Sequence, residues 1–507
     1  MAEILLCTLN ARYIHASFGL RYLLANLEEM TEKTTLLEFE ISQDPKDVAE
    51  EILRHSPRIV GLGVYIWNTA KTYEVISVLR RVKPEIIIVI GGPEVSYEIE
   101  GQPITALVDF VVSGEGEIVF RELCRSLLSG VRPDGKIIHA KLPDLDQVAL
   151  PYELYSEDDL ANRVVYVEVS RGCPFTCEFC LSSLDLPVRQ FDLERVLAAL
   201  DSLYVKGLRT FKFVDRTFNL NLRTATKILQ FFLDRMEPGL FVHFEMVPDR
   251  FPKQLREVVA QFPPGSLQFE VGIQSFNPQV GELISRRQDF VKIGENLSFL
   301  RRETGVYVHA DLIAGLPGED IESFGRGFDT LVALDPHEIQ VGILKRLRGT
   351  PIVRHDLEWG MRYSEEPPYE VLQTKLMDFS TLQKMRRFAK FWDLVANSGN
   401  FRNTRVEIWR EAESPFHSFM ELSEWLYSRL QRRSGVSLKS LTALLYEFLV
   451  SEKGRSAEEI GPLMAREYCQ GGRTDLPLPL RPYVSEVEAV RVAHPVKLKR
   501  QQRTANG

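Results

Sequence analysis

The order of hydrophobic and polar positions divides the chain into three stretches. Through its first part, short apolar runs alternate with amphipathic stretches, the pattern of a parallel sheet covered by helices. The pattern predicts strands at Glu3–Thr8, Thr35–Ile41, Ile59–Val64, Ile86–Ile90 and Phe110–Val112. Helices are predicted at Phe18–Glu29, Lys46–Arg54, Thr69–Val82 and Glu117–Leu128. An unbroken apolar run such as Ile86 to Ile90 fits a strand buried on both faces. Five such units predict a doubly wound, flavodoxin-like (Rossmann-like) α/β domain over residues 1–135. Residues 136–162, polar and punctuated by proline, read as linker. A second series follows, with strands expected at Val164–Val169, Thr210–Val214, Val242–Met246, Leu267–Ile273, Val306–Ile313 and Ile339–Leu344. Six units of this kind predict a partial (β/α)6 TIM-type barrel over residues 163–350. Beyond Pro351 strand signals fade, and residues 351–507 read as a mainly α-helical domain. Its helices are expected at Tyr369–Phe388, Ser418–Arg432, Val436–Ser451 and Ala457–Cys469.

Composition narrows the class. Of 507 residues, 44% are hydrophobic and 26% charged, a normal balance for large packed cores. The net charge of −8 argues against a general polyanion-binding surface, so nucleic acid is not an expected partner. Only the tail bearing Lys497, Lys499, Arg500 and Arg503 is basic, and it reads as a solvated end. No apolar run reaches membrane-spanning length, and Met1 to Leu9 reads as a first strand instead of a signal peptide. Six cysteines without secretory features point to a reducing cytoplasm and away from a disulfide framework.

Three of those cysteines carry chemistry. Cys173, Cys177 and Cys180 are spaced C-x3-C-x2-C on the loop expected to leave the strand at Val164–Val169. Three thiolates on one short loop can hold three irons of a [4Fe–4S] cluster and leave the fourth open for a chelating small molecule. A structural zinc site with one remote ligand is the alternative.

The loop and its context resemble the radical SAM superfamily, whose signature has an aromatic before the last cysteine, here Phe179. By that resemblance Cys173, Cys177 and Cys180 ligate the cluster, and S-adenosylmethionine binds the open iron. Further motifs fall at the ends of later strands, where barrel loops converge on one pocket. Asp215, in Phe213–Asn219, resembles the acidic position that contacts the amino group of S-adenosylmethionine. Glu270, Gln274 and Ser275 resemble the segment beside ribose and the methionine part. Asp311, Gly315 and Pro317, in the run Asp311–Glu319, resemble the strand and turn beside adenine. Taken singly these have ordinary readings: Gly-Leu-Pro-Gly is a turn, and Asp215 can cap a helix. The resemblance implies reductive cleavage of S-adenosylmethionine to methionine and a 5′-deoxyadenosyl radical.

Glycines and small polar residues crowd four loops of the first domain: Asn10–Gly19, Gly61–Asn68, Gly91–Ser96 and Ser113–Glu117. In an open α/β sheet ligands bind at these strand ends. The loops resemble the cobalamin-binding domain that precedes the barrel in cobalamin-dependent radical SAM enzymes, and cofactor contacts are expected at Gly63, Gly91, Gly92, Pro93, Ser113, Gly114 and Glu115. The Asp-x-His-x-x-Gly loop of other cobalamin domains is missing, because His15 lies one residue too far from Gly19. His15 either reaches cobalt or bonds to backbone or to the corrin periphery. A nucleotide-binding or vestigial flavodoxin-like domain is the alternative reading of the whole block. The helical third resembles the uncharacterised domain attached to one subgroup of these proteins.

The expected function is cobalamin-dependent methyl transfer to an unactivated carbon of a small-molecule or peptide substrate. It draws electrons from an external donor such as flavodoxin or ferredoxin. Cobalamin-dependent cyclisation, oxidation or rearrangement without methyl transfer, and a cobalamin or cluster sensor, are the competing readings.

Overall fold

A computed structural model describes residues 3–185, 187–470 and 473–486; the basic tail lies outside them. The first unit is one parallel sheet of β1 (Ile4–Asn10), β2 (Thr34–Glu40), β3 (Ile59–Gly63), β4 (Ile87–Gly91), β5 (Phe110–Ser113) and β6 (Ile137–His139). The strands lie in the order β2-β1-β3-β4-β5-β6. The chain therefore reverses direction across the sheet between β1 and β3, the place where doubly wound sheets open a crevice for ligands. The stretch 136–162, read as linker, carries regular elements of its own. Ile137 pairs with Val111 as a sixth strand, and Glu157–Asn162 forms a helix closed by a capping box from Ser156 and Asp159. Three residues are too few to display a period, so β6 left no pattern to read.

The second unit contains β7 (Val165–Val167), β8 (Thr210–Phe213), β9 (Phe241–Met246), β10 (Leu267–Gln274), β11 (Tyr307–Ala314) and β12 (Glu338–Ile343). All six are parallel and follow chain order across the sheet, which stays open between β7 and β12. Strand alternation sorts their side chains. Phe211 and Phe213 turn outward onto Phe232, at 5.0 and 6.0 Å between ring centroids. Lys212, between them, is in register with Tyr166 and His243 on the opposite, inner face, and Glu270 is likewise in register with His309.

Both free edges are covered by the flanking units, which removes unpaired backbone from solvent. At β7, His15 bridges Val164, and Arg21 and Arg163 bind Glu38 and Asp159 in a buried ion-pair network. At β12, the Asn397 side chain accepts from the Ile339 amide at 3.1 Å and donates to its carbonyl at 2.8 Å. The helix Phe379–Val395 then packs Phe388 and Trp392 edge-on against Phe328. This helix begins ten residues later than the sequence pattern predicts. A hairpin of Arg362–Tyr363 with Val371–Gln373 takes the intervening residues, and Asp378 caps the helix by accepting from Thr381. Helices Pro415–Leu430, Leu438–Glu447 and Ala457–Cys469 complete the last unit. Among the described residues no helix is long and apolar enough to cross a membrane.

Candidate active site

The cysteine loop leaves the top of β7 and is closed at its base by a two-residue pairing of Ser170–Arg171 with Arg189–Gln190. Gly172 makes the first turn at φ +88, and a Cβ there would lie 2.5 Å from the Asp185 carbonyl, so no other residue fits. Cys173 and Cys177 are buried and Cys180 is half-buried. Among the described residues no three His, Cys, Asp or Glu side chains gather as ligands of a single metal ion would. A [4Fe–4S] cluster makes no such demand, since each thiolate binds its own iron at a separate corner. Burial pushes the Cys173 thiol up, the neighbouring cysteines add to this, and the Arg286 guanidinium opposes it. Arg286 also donates to Cys177 Sγ at 3.3 Å and to the Gly272 carbonyl. A cation in that place favours the thiolate.

Glu178 fixes the loop from within. Its side chain, almost fully buried, accepts from Ser285 Oγ at 2.8 Å and pairs with His355 Nε2 at 2.8 Å and with Arg354. Its backbone donates to Ile284 and accepts from Ile352. The middle of the loop is thereby bound both to the segment after β10 and to the turn Pro351–His355 beyond β12.

Phe179, Gln274 and Asp311 line a cavity of about 660 Å³ at the carboxyl ends of β10, β11 and β12. Gln274 ends β10 in a bulge, at φ +71, with its side-chain oxygen buried and without a hydrogen-bond partner. Such strained, unpartnered positions are characteristic of ligand sites. Asp311 lies 3.2 Å from His309 Nε2. Glu270 sits deeper on the same inner face, 3.1 Å from His243. Burial opposes its ionisation, but the bond from His243 and the positive fields of His309 and Lys212 prevail and hold it down to about 2. Ser275 donates to Glu319 at 2.5 Å, and burial pushes the Glu319 carboxyl up to about 7 against that bond.

Asp215, Gly315 and Pro317 do not line this cavity. Asp215 is buried beneath the entry to the cysteine loop, accepting from the Val169 amide at 3.1 Å and from Ser170 Oγ at 2.6 Å. Its carboxylate thus holds the exit from β7 and is not among the residues lining the large cavity. Burial, reinforced by Glu168, pushes it up to about 7 against those two bonds. Gly315 faces protein and not open space: a Cβ there would lie 2.6 Å from Val371 and 3.3 Å from Leu382. Pro317 is buried in the same turn. Val371 of the hairpin and Leu382 of the helix in the last unit pack against Gly315. Lys212, His243, His309 and Arg286 escaped the sequence reading. The first three were signalled by polar residues at alternate positions in Phe-Lys-Phe, Val-His-Phe-Glu and Val-His-Ala-Asp.

In the first unit, Gly63, Gly91, Gly92, Gly114 and Glu115 line a separate cavity of about 280 Å³ at the ends of β3, β4 and β5. Gly92 adopts φ +113, and a Cβ there would meet the Val64 carbonyl at 2.5 Å. Pro93 starts the turn after it, and Ser113 Oγ donates to the Ser96 carbonyl at 2.9 Å to fix the neighbouring loop. Glu115 lies at the cavity wall, paired with Arg189 and, at 2.7 Å, with Arg171. Arg171 also binds Glu117 and Glu168, so one guanidinium joins this cavity to the base of the cysteine loop. His15 lies apart: its Nδ1 is 2.7 Å from Tyr166 Oη, and it does not line the cavity. Burial, and then the charges of Lys212, Arg12 and Arg163, lower its proton affinity.

Family models for three kinds of domain match the chain. The B12 binding domain covers residues 4–124, the Radical SAM superfamily covers 167–331, and a protein of unknown function (DUF4080) covers 357–486. The chain is a cobalamin-binding radical SAM protein. It is 27% identical over 302 residues to an uncharacterized methyltransferase of Pyrococcus horikoshii, covering 54% of this chain and 64% of that protein. It is 25% identical over 331 residues to the cobalamin-dependent radical SAM methyltransferase TokK of Streptomyces tokunonensis, covering 57% of this chain and 47% of that one. The chain thus spans about half to two-thirds of the length of these curated relatives. Its fold is similar to that of the cobalamin-dependent S-adenosylmethionine radical enzyme OxsB, solved with aqua-cobalamin and S-adenosylmethionine bound. That likeness has a TM-score of 0.60 at 13% identity and covers 99% of this chain and 83% of OxsB.

The cofactors of a cobalamin-binding radical SAM protein are cobalamin, S-adenosylmethionine and a [4Fe–4S] cluster. The residues present suit them. Three cysteines on one closed loop, beside an arginine, are a donor set for cluster iron. The unpartnered side-chain oxygen of Gln274 can accept from a donor of a polar ligand in the cavity beside that loop, where Asp311, paired with His309, also forms part of the wall. The glycine-lined cavity lets backbone approach closely and suits part of a large planar cofactor or its tail.

Proposed function

We propose that this protein is a methyltransferase that transfers a methyl group to an unactivated carbon of a small molecule. The observation that carries the reading is the joining of two sites. The cysteine loop contributes Phe179 to the wall of the 660 Å³ cavity, and its base is bound through Arg171 to Glu115 at the wall of the glycine-lined cavity. When bound, the cofactors supply the difficult chemistry: two S-adenosylmethionines, two electrons and a substrate R–H give R–CH3, S-adenosylhomocysteine, methionine and 5′-deoxyadenosine.

The chain's own residues bind, orient and exclude water. Cys173, Cys177 and Cys180 hold the cluster, and Glu178 fixes their loop against Ser285 and His355. Gln274 and Asp311 orient a polar ligand beside Phe179. The helix Phe379–Val395 covers the open side of the barrel, so water is kept from reactive species. The two electrons come from an external reductant such as flavodoxin or ferredoxin. A cluster with one open iron is oxygen-sensitive, so the reading places the protein in a reducing cytoplasm.

Anaerobically reconstituted protein, given reductant, methyl-deuterated S-adenosylmethionine and a metabolite extract, should deliver the labelled methyl group to a product. Formation of 5′-deoxyadenosine with an unlabelled product would favour cyclisation or rearrangement. Neither product in repeated preparations would favour a sensor.

A further inference from the structure

The wall that the last unit presents to the 660 Å³ cavity is cationic. Lys345, at the exit of β12, faces it together with Arg386, Lys390 and Arg433 of the unit whose family model carries no function. The same wall supplies two carboxylates. Glu370 binds Arg386 at 2.9 Å, and Asp393 lies 3.8 Å from Lys390. Lys345 and Arg433 have no hydrogen-bond or ion-pair partner among the described residues, leaving the wall with two uncompensated positive charges. The facing wall carries Gln274, Asp311 and the loop residue Phe179. With Asp311 counted, the cavity lining keeps a small excess of positive charge, and its unpaired cations attract a ligand of negative charge. A guanidinium and an ammonium together are the usual recognition set for a carboxylate or a phosphate.

We propose that the substrate carries an anionic group, a carboxylate or a phosphate, which Lys345 and Arg433 bind with support from Lys390. The carbon to be modified then lies toward Phe179 and the cysteine loop. The domain of unknown function accordingly selects the substrate. The assignment of a substrate rests on the methyltransferase reading, but the anion site can be measured without turnover.

The test is calorimetric titration of anaerobic, cofactor-loaded protein in phosphate-free buffer with pyrophosphate and, separately, citrate. At least one should bind, and Lys345→Ala/Arg433→Ala should weaken it tenfold or more. In that variant, affinity for S-adenosylmethionine, cluster absorbance and retained cobalamin should stay at wild-type values. Arg432→Ala, next to the site but not lining it, should bind the anion normally. A preference for pyrophosphate marks a phosphate ester as substrate, and one for citrate a carboxylate. Binding of neither anion by loaded wild type, or equal binding by the double variant, overturns the proposal. So does a parallel loss of S-adenosylmethionine affinity, which would mean that these cations serve the cofactor. Failure of the wild type to hold cluster and cobalamin counts against the methyltransferase reading alone; the same anion titrations of wild type and double variant are then scored on the cofactor-free protein, by the same criteria.

Discussion

Replacing Glu178 with alanine tests whether the cysteine loop is held by the protein before any iron arrives. Glu178 accepts from Ser285 at 2.8 Å and pairs with His355 Nε2 at 2.8 Å; the Glu178 and His355 side chains are only 2% and 7% exposed. Hydrogen bonds to a charged group contribute about 1.5–3 kcal/mol each. Breaking a buried pair by removing one partner costs about 3–5 kcal/mol. Arg354, at 59% exposure, adds at most about 1 kcal/mol. The loop should therefore open more easily by about 3–5 kcal/mol, which is roughly two to three and a half powers of ten in the opening equilibrium. The assay is amide hydrogen exchange of metal-free protein, followed in peptides spanning residues 176–182 and 283–287. Glu178→Ala should exchange there at least a hundredfold faster than wild type, with the sheet of β1 to β6 unchanged. Glu178→Gln keeps the shape and the acceptor oxygen and should fall between them. Exchange in Glu178→Ala within threefold of wild type would refute the reasoning, because the loop would then owe its order to something else.

Other consequences can be measured separately. Cys177→Ala should lose most iron–sulfur absorbance and all 5′-deoxyadenosine formation while still retaining hydroxocobalamin through desalting; surviving cleavage would remove Cys177 from the cluster. Gly92→Ala places a Cβ against the Val64 carbonyl in a left-handed backbone position, a strain of about 1–3 kcal/mol, and should diminish retained cobalamin without changing iron content. Asp215 has its proton affinity raised to about 7 from 3.8. The folded state therefore holds a proton that the unfolded state releases, and stability falls as pH rises from about 4 to 7, then levels off. Asp215→Asn should flatten that part of a stability profile, and an unchanged slope would show that Asp215 is not its source. Arg171→Ala leaves Glu115, Glu117 and Glu168 without their shared cation and should make the junction of the first two units more sensitive to limited proteolysis.

The architecture was legible wherever hydrophobic period and length were sufficient. The apolar run at Ile86–Ile90 overlaps β4 over Ile87–Ile90, and helix Thr69–Val82 has the limits its pattern gave. What escaped was set by distant partners. Ile137–His139 becomes a strand only because the edge of β5 is there to receive it. The start of helix Phe379–Val395 was displaced by a hairpin whose two strands pair across seven intervening residues. In the site, the cysteine spacing was visible in the chain, but the partners that hold the loop were not. Arg286 and His355 come from 106 and 175 residues beyond Cys180, and no local pattern links them to it. Gly315 shows the same dependence on distant partners: the atoms packed against it, Val371 and Leu382, come from the last unit and left no mark on the local sequence. The inward charges of the barrel were present as period-two alternation, and reading each strand for its two faces would have exposed them.

The central claim is that the cluster and cobalamin serve one reaction, and product stoichiometry tests it most directly. Loaded protein turning over in a metabolite extract with reductant should form 5′-deoxyadenosine and S-adenosylhomocysteine in equal amounts, each matching the methylated product. 5′-Deoxyadenosine accumulating without S-adenosylhomocysteine, or the reverse, would contradict the account.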